Sequence, residues 1–260
     1  MEEVSIIGVD LAKNVFQLHG AAADGVVVFR KKLSRLQFAR FMTDHPACDV
    51  AMEACPSAHH WARELSALGH EVRLMVASYV KPYVKRGKND AADAEALCEA
   101  MSRPTMRFVP VKSAEQQAAL MLVGLRERAV ADRTQLANTI RGYAAEFGTT
   151  AAKGLCHIPR LLDRIMADET IPALARDLFA ELAAEFAQMK ERLKEIEAKL
   201  MTWYRSDECC RRLATIPGVG PIGAVLLVMK APAPEQFTSG KQFAAWMGLT
   251  PRDHSTAGKV

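Results

Sequence analysis

The sequence has 260 residues, of which 50% are apolar and 25% are charged. This composition is that of an ordinary globular protein and excludes a disordered chain, a collagen or a coiled coil alone. No run of eighteen apolar residues occurs, and the N-terminus lacks the basic flank and apolar core of a secretion signal. We therefore expect a soluble cytoplasmic protein that does not enter a membrane.

The cysteines are not spaced like a disulfide framework or a zinc site. They stand at positions 48, 55, 98, 156, 209 and 210, without a CxxC pair or a Cys/His set at zinc-ligand spacing. Reduced thiols are the simpler expectation. The net charge of +4 is mildly basic, but the basic residues are unevenly distributed along the chain, which favours contact with nucleic acid in particular segments.

The first hundred residues alternate short β-rich runs with helical patterns and predict an α/β unit. Helices are expected after Ser34, at about residues 57–68 and at 90–101. Strands are predicted at residues 4–9, 15–18, 26–29, 50–52 and 72–76. The first three strands follow one another as a meander, so the order is βββαβαβ. In such a sheet we expect the first and fourth strands to be neighbours.

Two long helices are predicted next, at residues 113–147 and 171–204. In the second, apolar residues step by three or four positions and form one amphipathic face, which needs a partner helix and indicates a hairpin or a dimerising arm. The face comprises Leu178, Leu182, Phe186, Met189, Leu193, Ile196 and Leu200. Pro and Gly then cluster in a small helical module, inside which we expect the sequence to end. The predicted domains are residues 1–111, 112–206 and 207–260.

Four acidic residues stand at places where they can meet. Asp10 and Glu53 come directly after the first and fourth predicted strands, and Asp90 and Asp93 lie three apart at a helix start. Each alone is equally typical of a structural acid. Together they would repel one another, and such clusters are normally neutralised by divalent metal, with oxygen ligands selecting Mg²⁺ or Mn²⁺. Two metal ions can stabilise both oxygens exchanged in phosphodiester cleavage, so the sequence predicts a nuclease-type site.

The segment before Asp90 is basic and contains aromatic residues. Residues 72–89 include no acid, and Tyr79 and Tyr83 are interleaved with the bases. The basic residues are Arg73, Lys81, Lys85, Arg86 and Lys88. This pattern predicts contact with a nucleic-acid backbone, with a solvated helix face as the alternative.

Two features near the end of the sequence bear on the same chemistry. Residues 213–228 (LATIPGVGPIGAVLLV) have the pattern of a helix-hairpin-helix, in which Gly218 and Gly220 would let backbone N–H groups approach a phosphate. Ser255 follows His254 in PRDHSTAGK. A loop serine is solvated by default, because it needs a base or cationic surroundings to act as a nucleophile.

The motifs GVDLAK, MEAC and KNDAADAEA, with LATIPGVGPIGA and FAAWMGLTPRDHSTAGK near the end, carry a resemblance that spans essentially the whole chain. The sequence resembles the DEDD-type transposases of bacterial insertion sequences, in the insertion sequence 110 family, which includes Piv-type DNA invertases. The resemblance implies a RuvC-like domain of RNase H-type fold, a coiled-coil dimerisation arm and an all-α transposase module with a helix-hairpin-helix. Its acids would be Asp10, Glu53, Asp90 and Asp93, and its nucleophile Ser255. Thr256 and Ala257 depart from the family pattern.

The same resemblance implies a recombinase that excises and inserts a mobile element. It would act as a dimer or tetramer with a structured noncoding RNA that pairs with donor and target DNA, and it would form a covalent serine–DNA link. Two alternatives stay open on the residues alone. One is a Holliday-junction resolvase or structure-selective nuclease with the same acids, and the other is a non-catalytic nucleic-acid-binding protein.

Overall fold

The protein is described here by a computed structural model of residues 3–84, 90–231 and 234–249. The chain divides into two compact units. One is made of the residues up to Ala114 together with those from Ala231 onward, and the other of Glu115–Lys230. None of the helices formed by the described residues is long and apolar enough to cross a membrane.

The first unit is built on a six-stranded sheet in the order β3-β2-β1-β4-β5-β6. The strands are β1 (Ile6–Leu11), β2 (Val15–Ala21), β3 (Val27–Ser34), β4 (Asp49–Glu53), β5 (Glu71–Met75) and β6 (Phe108–Val109). The first three strands form the predicted antiparallel meander, and β4 pairs with β1 in parallel, as expected. β5 is parallel to β4, and β6 is antiparallel to β5. β6 was not predicted, because a two-residue strand is too short to show a period.

The first unit also contains the helices of the α/β pattern and one short helix near its end. These are α1 (Arg35–Asp44), α2 (Ala58–Ala67), α3 (Ala77–Val80), α4 (Asp90–Met101) and α10 (Gly240–Trp246). Ser34 caps α1 as predicted: its side chain accepts from the Gln37 N–H, and the Gln37 side chain accepts from the Ser34 N–H at 2.9 Å. α2 ends just before Gly69, whose φ of +94° suits a residue without Cβ. The bounds of α4 match the predicted helix.

Each face of the sheet is covered by different helices. On one face Ile7, Val9 and Met52 pack in a core with Phe38 of α1 and Trp61 of α2. The rings of Phe38 and Trp61 meet edge to face with centroids 5.0 Å apart. On the other face α4 packs against β1, β2 and β4. The alternation of side chains along each strand therefore assigns one set of positions to the α1–α2 core and the other set to α4.

The helix α4 lies directly on β1 because Gly8 has no side chain. A Cβ at Gly8 would overlap the carbonyl oxygen of Ala94 and lie 2.9 Å from Cys98 Sγ. Cys98 Sγ donates to the carbonyl oxygen of His19 at 3.2 Å, and burial raises the pKa of Cys98 to about 12. A glycine inside a strand commonly marks such a close backbone approach.

The second unit is helical. Its helices are α5 (Ala114–Glu146), α6 (Ile158–Ala167), α7 (Ala173–Ser206), α8 (Glu208–Leu213) and α9 (Pro221–Lys230). α5 and α7 are the two predicted long helices. α6 was not predicted, although Ile158, Leu161, Leu162 and Ile165 recur at helical spacing and are all buried.

The predicted apolar face of α7 is buried within its own chain. Phe186 packs with α5 and α6, and Leu200 packs with residues of α5 and α9. Leu178, the first residue of the predicted face, is 51% exposed, whereas the neighbouring Phe179 is 2% exposed. Phe147, which follows α5, meets the Phe179 ring at a centroid distance of 6.2 Å, so the larger neighbouring side chain occupies the core position.

We expect Gly8→Ala to lower the free energy of unfolding by about 1–3 kcal/mol, because the added methyl group overpacks the contact with Ala94. Urea titration followed by circular dichroism would measure the change. Gly124→Ala in α5 is the control. Its added methyl group would meet nothing within 4 Å, and the protein should gain about 0.5–1 kcal/mol. A Gly8→Ala protein as stable as the wild type would contradict the close packing of α4 on β1.

Candidate active site

Asp10 and Glu53 lie next to one another at the ends of paired parallel strands. The last paired positions of β1 and β4 are Val9 and Met52, and the two acids are the next residue of each strand. Both acids are half-buried. By strand alternation Asp10 shares a face with Gly8, which α4 contacts, and Glu53 shares a face with Ala51, which packs in the α4 core. The two carboxylates therefore belong to the face that α4 covers.

The start of α4 is directed toward the Asp10 end of β1. Ala94 lies over Gly8, while Ile6 packs against the cluster formed by the later part of α4, which includes Leu97 and Met101. The helix α4 therefore runs opposite to β1, so that earlier residues of α4 lie over later residues of β1. Asp93 precedes Ala94 and is half-buried. The first turn of α4, which carries Asp93, is therefore directed toward the end of β1 that holds Asp10.

Asp90 is the first residue of α4, and its side chain lies outside the described part of the structure. Among the side chains that are described, no group of three or more His, Cys, Asp or Glu is arranged so that it could hold a metal ion. The four-acid magnesium site therefore stays a prediction. What the structure describes is that Asp10 and Glu53 each follow the last paired position of β1 and β4, and that α4 approaches this face of the sheet.

Cys55 is an electrostatic neighbour of the two strand acids. Its pKa is raised, first by burial and then by the negative charges of Glu53 and Asp10. Cys55 Sγ donates to the carbonyl oxygen of Pro56 at 3.5 Å. The loop then turns through Ser57, which has a left-handed φ of +76°. Non-glycine residues in this region cost roughly 1–3 kcal/mol and occur mainly where surrounding structure imposes them, often beside functional sites.

The predicted nucleic-acid-binding residues are only partly described. Lys81 begins a 3-10 turn over Lys81–Tyr83 and is exposed. Lys85, Arg86 and Lys88 lie outside the described residues. The predicted nucleophile Ser255 also lies outside them.

Gly218 and Gly220 lie in the exposed turn between α8 and α9. Gly218 has a left-handed φ of +87°, which a glycine adopts without strain. The carbonyl oxygen of Gly220 accepts from the Ala224 N–H at 2.9 Å and so joins the turn to α9. Arg211 and Arg212 are exposed at the end of α8. The turn thus combines open backbone with positive charge.

Sequence reasoning missed two residues that shape the site. Gly8 determines how closely α4 approaches β1. The pKa of Cys55 is raised by burial and then by the charges of Glu53 and Asp10. A glycine within an apolar strand was a readable signal for the first. No local pattern indicates the second, because the effect on Cys55 depends on the strand pairing that brings Asp10 near it.

Comparison with known proteins identifies the family of the chain. Residues 7–147 match the family model described as Transposase, of the DEDD type from insertion sequence 110 elements. Residues 210–260 match the family described as Transposase IS116/IS110/IS902 family. Fold and matches together define an enzyme that acts on DNA.

Curated relatives support the same assignment over the full chain. The Sinorhizobium fredii protein named as transposase y4pF/y4sB is 61% identical over 100% of this chain and 67% of its own length. A Pseudomonas aeruginosa protein named "Probable family 20 transposase" is 48% identical over 98% of this chain and 77% of its own. The transposase for insertion sequence element IS1328 of Yersinia enterocolitica is 40% identical over 100% of this chain and 77% of its own. The chain belongs to the IS110 family of DEDD transposases.

Glu53→Gln and Asp10→Asn should each lower the pKa of Cys55, because each removes a negative charge that raises it. A larger thiolate fraction at pH 8.5 should then speed alkylation of Cys55 by iodoacetamide, measured by peptide mass spectrometry. Glu71→Gln, at the opposite end of the β4–β5 pair, is the control and should leave the rate unchanged. Equal rates in all variants would contradict the proximity of Cys55 to the acids.

Proposed function

We propose that this transposase cleaves and joins DNA with divalent metal held by Asp10, Glu53, Asp90 and Asp93, in a RuvC-like first unit of RNase H type. The observation that carries the proposal is the parallel pairing of β1 with β4, which places Asp10 beside Glu53 on the face covered by α4. The match of residues 7–147 to a DEDD transposase family supports it.

The acids of this site have the chemistry that Mg²⁺ or Mn²⁺ requires. Carboxylate oxygens are hard ligands. The pKa of Cys55 is raised by burial and then by the negative charges of Glu53 and Asp10, which a cation would offset. When bound, the metal supplies a positive charge that polarises the phosphate. The chain itself contributes half-buried carboxylates whose positions are set by two paired strands and one closely packed helix.

Two surfaces are proposed to hold the DNA backbone. One is the basic segment with Lys81, Lys85, Arg86 and Lys88, of which Lys81 is described and exposed. The other is the turn of a helix-hairpin-helix at Gly218 and Gly220. Its exposed backbone and the neighbouring arginines of α8 suit contact with phosphate regardless of base sequence.

We propose Ser255 as the nucleophile. Its Oγ gives up its proton and bonds to phosphorus, while the bond from phosphorus to the leaving deoxyribose oxygen breaks and that oxygen takes up a proton. A hydroxyl of the second DNA strand then displaces the serine, which regains its proton. Support comes from the PRDHSTAGK motif and from the family match of residues 210–260.

We also propose a homodimer or tetramer that works with a structured noncoding guide RNA. Support for self-association comes from apolar side chains exposed near the end of α5 and the start of α7. They are Tyr143, Phe147, Leu174 and Leu178, between 38% and 71% exposed. Support for the RNA rests on the family resemblance, in which an RNA pairs with donor and target DNA.

Asp10→Asn, Glu53→Gln and Asp93→Asn should each abolish Mg²⁺-dependent strand exchange, because each removes one negative metal ligand. They should also reduce the rise in melting temperature that Mg²⁺ causes in the wild type, a readout independent of activity. Glu95→Gln is the control, since Glu95 is on the same helix and pairs with Arg30 at 3.1 Å. Retained activity and retained Mg²⁺ stabilisation in all three variants would refute the metal site.

A nicked DNA substrate should trap a phosphoserine adduct that maps to Ser255 by mass spectrometry, and Ser255→Ala should form none. A nuclease that uses water would still cleave DNA in Ser255→Ala and would form no adduct with the wild type. Thr256→Ala serves as the neighbouring control and should still form the adduct. An adduct at Ser239 or Thr256 instead would overturn the assignment.

A further inference from the structure

A cleft of about 330 Å³ lies in the first unit, beside α3 and the 3-10 turn that follows it. Tyr79, Pro82 and Tyr83 line one side, and Met106 and Arg107, which come just before β6, line the other. No acidic side chain is among the described residues that line it. Neither Asp10 nor Glu53 is among the residues that line it.

The two tyrosines present aromatic surface to this cleft in different ways. They are four residues apart, and the helical backbone continues from α3 into the 3-10 turn, so their side chains lie on the same side. Tyr79 is 45% exposed. Tyr83 is half-buried against the α4 core, and the Arg103 guanidinium lies 6.0 Å from its ring centroid. The cleft therefore has one fixed ring and one that is open to a ligand.

Positive charge accompanies these rings. Arg107 lines the cleft and is exposed, and the exposed Lys81 stands between Tyr79 and Tyr83 in the sequence. Arg103 is also positive, but it pairs with Glu99 on α4, so its charge is partly offset. Flat aromatic surface beside cationic groups matches a ligand with a planar base and an anionic phosphate. A duplex cannot use this surface in the same way, because its bases are stacked on one another.

We propose that this cleft binds one unpaired nucleotide of a nucleic-acid strand, with the base stacked on Tyr79 and the phosphate beside Arg107. The inference rests on the proposed action of this chain on nucleic acid and adds a single-strand site to it. Such a site would hold a strand end or an unpaired loop during strand exchange. Unpaired DNA and unpaired RNA share this chemistry.

The test uses the full chain without metal, so that no cleavage occurs, and fluorescein-labelled mixed-sequence strands of about 12 nucleotides, as DNA and as RNA. We expect Tyr79→Leu to weaken binding of the single strands roughly 5- to 100-fold, since stacking on one aromatic ring is lost. Binding of a DNA duplex and the salt dependence should not change. Tyr79→Phe should bind like the wild type, because it keeps the ring.

Arg107→Ala should instead reduce the slope of log affinity against log salt by about 0.7, the value for one phosphate contact on a single strand. Leu36→Ala is the matched control, since Leu36 is an exposed apolar side chain of α1, at 64% exposure, and belongs to neither of the proposed DNA-binding surfaces. If Tyr79→Leu weakens binding of the RNA strand alone, the site is assigned to RNA. If it weakens binding of both the DNA and the RNA strand, the site accepts either nucleic acid.

Unchanged single-strand affinity in Tyr79→Leu would overturn the inference, as would an equal loss of duplex binding or an equal loss in Leu36→Ala. A wild-type chain that binds neither single strands nor duplex would instead count against the proposed function itself. The two failures are therefore distinguishable.

Discussion

The contact between α4 and β1 at Gly8 is the constraint on which the candidate site depends. The backbones of α4 and β1 can come this close only because the two residues in contact are small: Gly8 on the strand and Ala94 on the helix. The alanine-rich sequence of α4 continues this close contact, with Ala96 and Ala100 buried against Ala51 of β4. A larger side chain at any of these positions would move the helix outward and carry Asp93 away from the strand acids.

The two faces of the sheet differ in the side chains they carry. The face of the sheet that packs against α1 and α2 is filled by large apolar side chains such as Phe16, Phe38 and Trp61. Fully burying one such side chain contributes roughly 1.5–3 kcal/mol. The opposite face carries small residues and half-buried carboxylates, and the large apolar core on the first face supports the sheet that holds them.

In the helical unit, the apolar side chains of one helix pack mainly against the other helices of the same unit. The face of α7 that the sequence marks as needing a partner finds that partner in α5, α6 and α9 of the same chain. Arg126 of α5 also pairs with Glu197 of α7 at 2.9 Å. The apolar side chains around Leu178 stay exposed, as do Met121 and Leu125 of α5. The proposed self-association would use exposed side chains of this kind rather than the buried part of the α7 face.

Local sequence was enough to determine most secondary structure and the pairing of the key strands. Period-two runs and the Ser34 cap predicted the meander and α1, and the meander made β1 and β4 neighbours, which brought Asp10 beside Glu53. These features depend on residues close in sequence and on a few topologies that a twisted sheet allows. The motifs also carried enough information to indicate the family.

Only the tertiary structure decided which side chains meet over long separations. Leu178 and Phe179 are both apolar and adjacent, so periodicity alone could not tell that the phenylalanine fills the core; the position of Phe147 decides that. Likewise, the sequence places Tyr79 among basic residues but not opposite Arg107, more than twenty residues later. The periodicity of apolar residues in the sequence shows which face of a helix or strand a side chain is on. Which residues it contacts depends on how separate elements pack against one another.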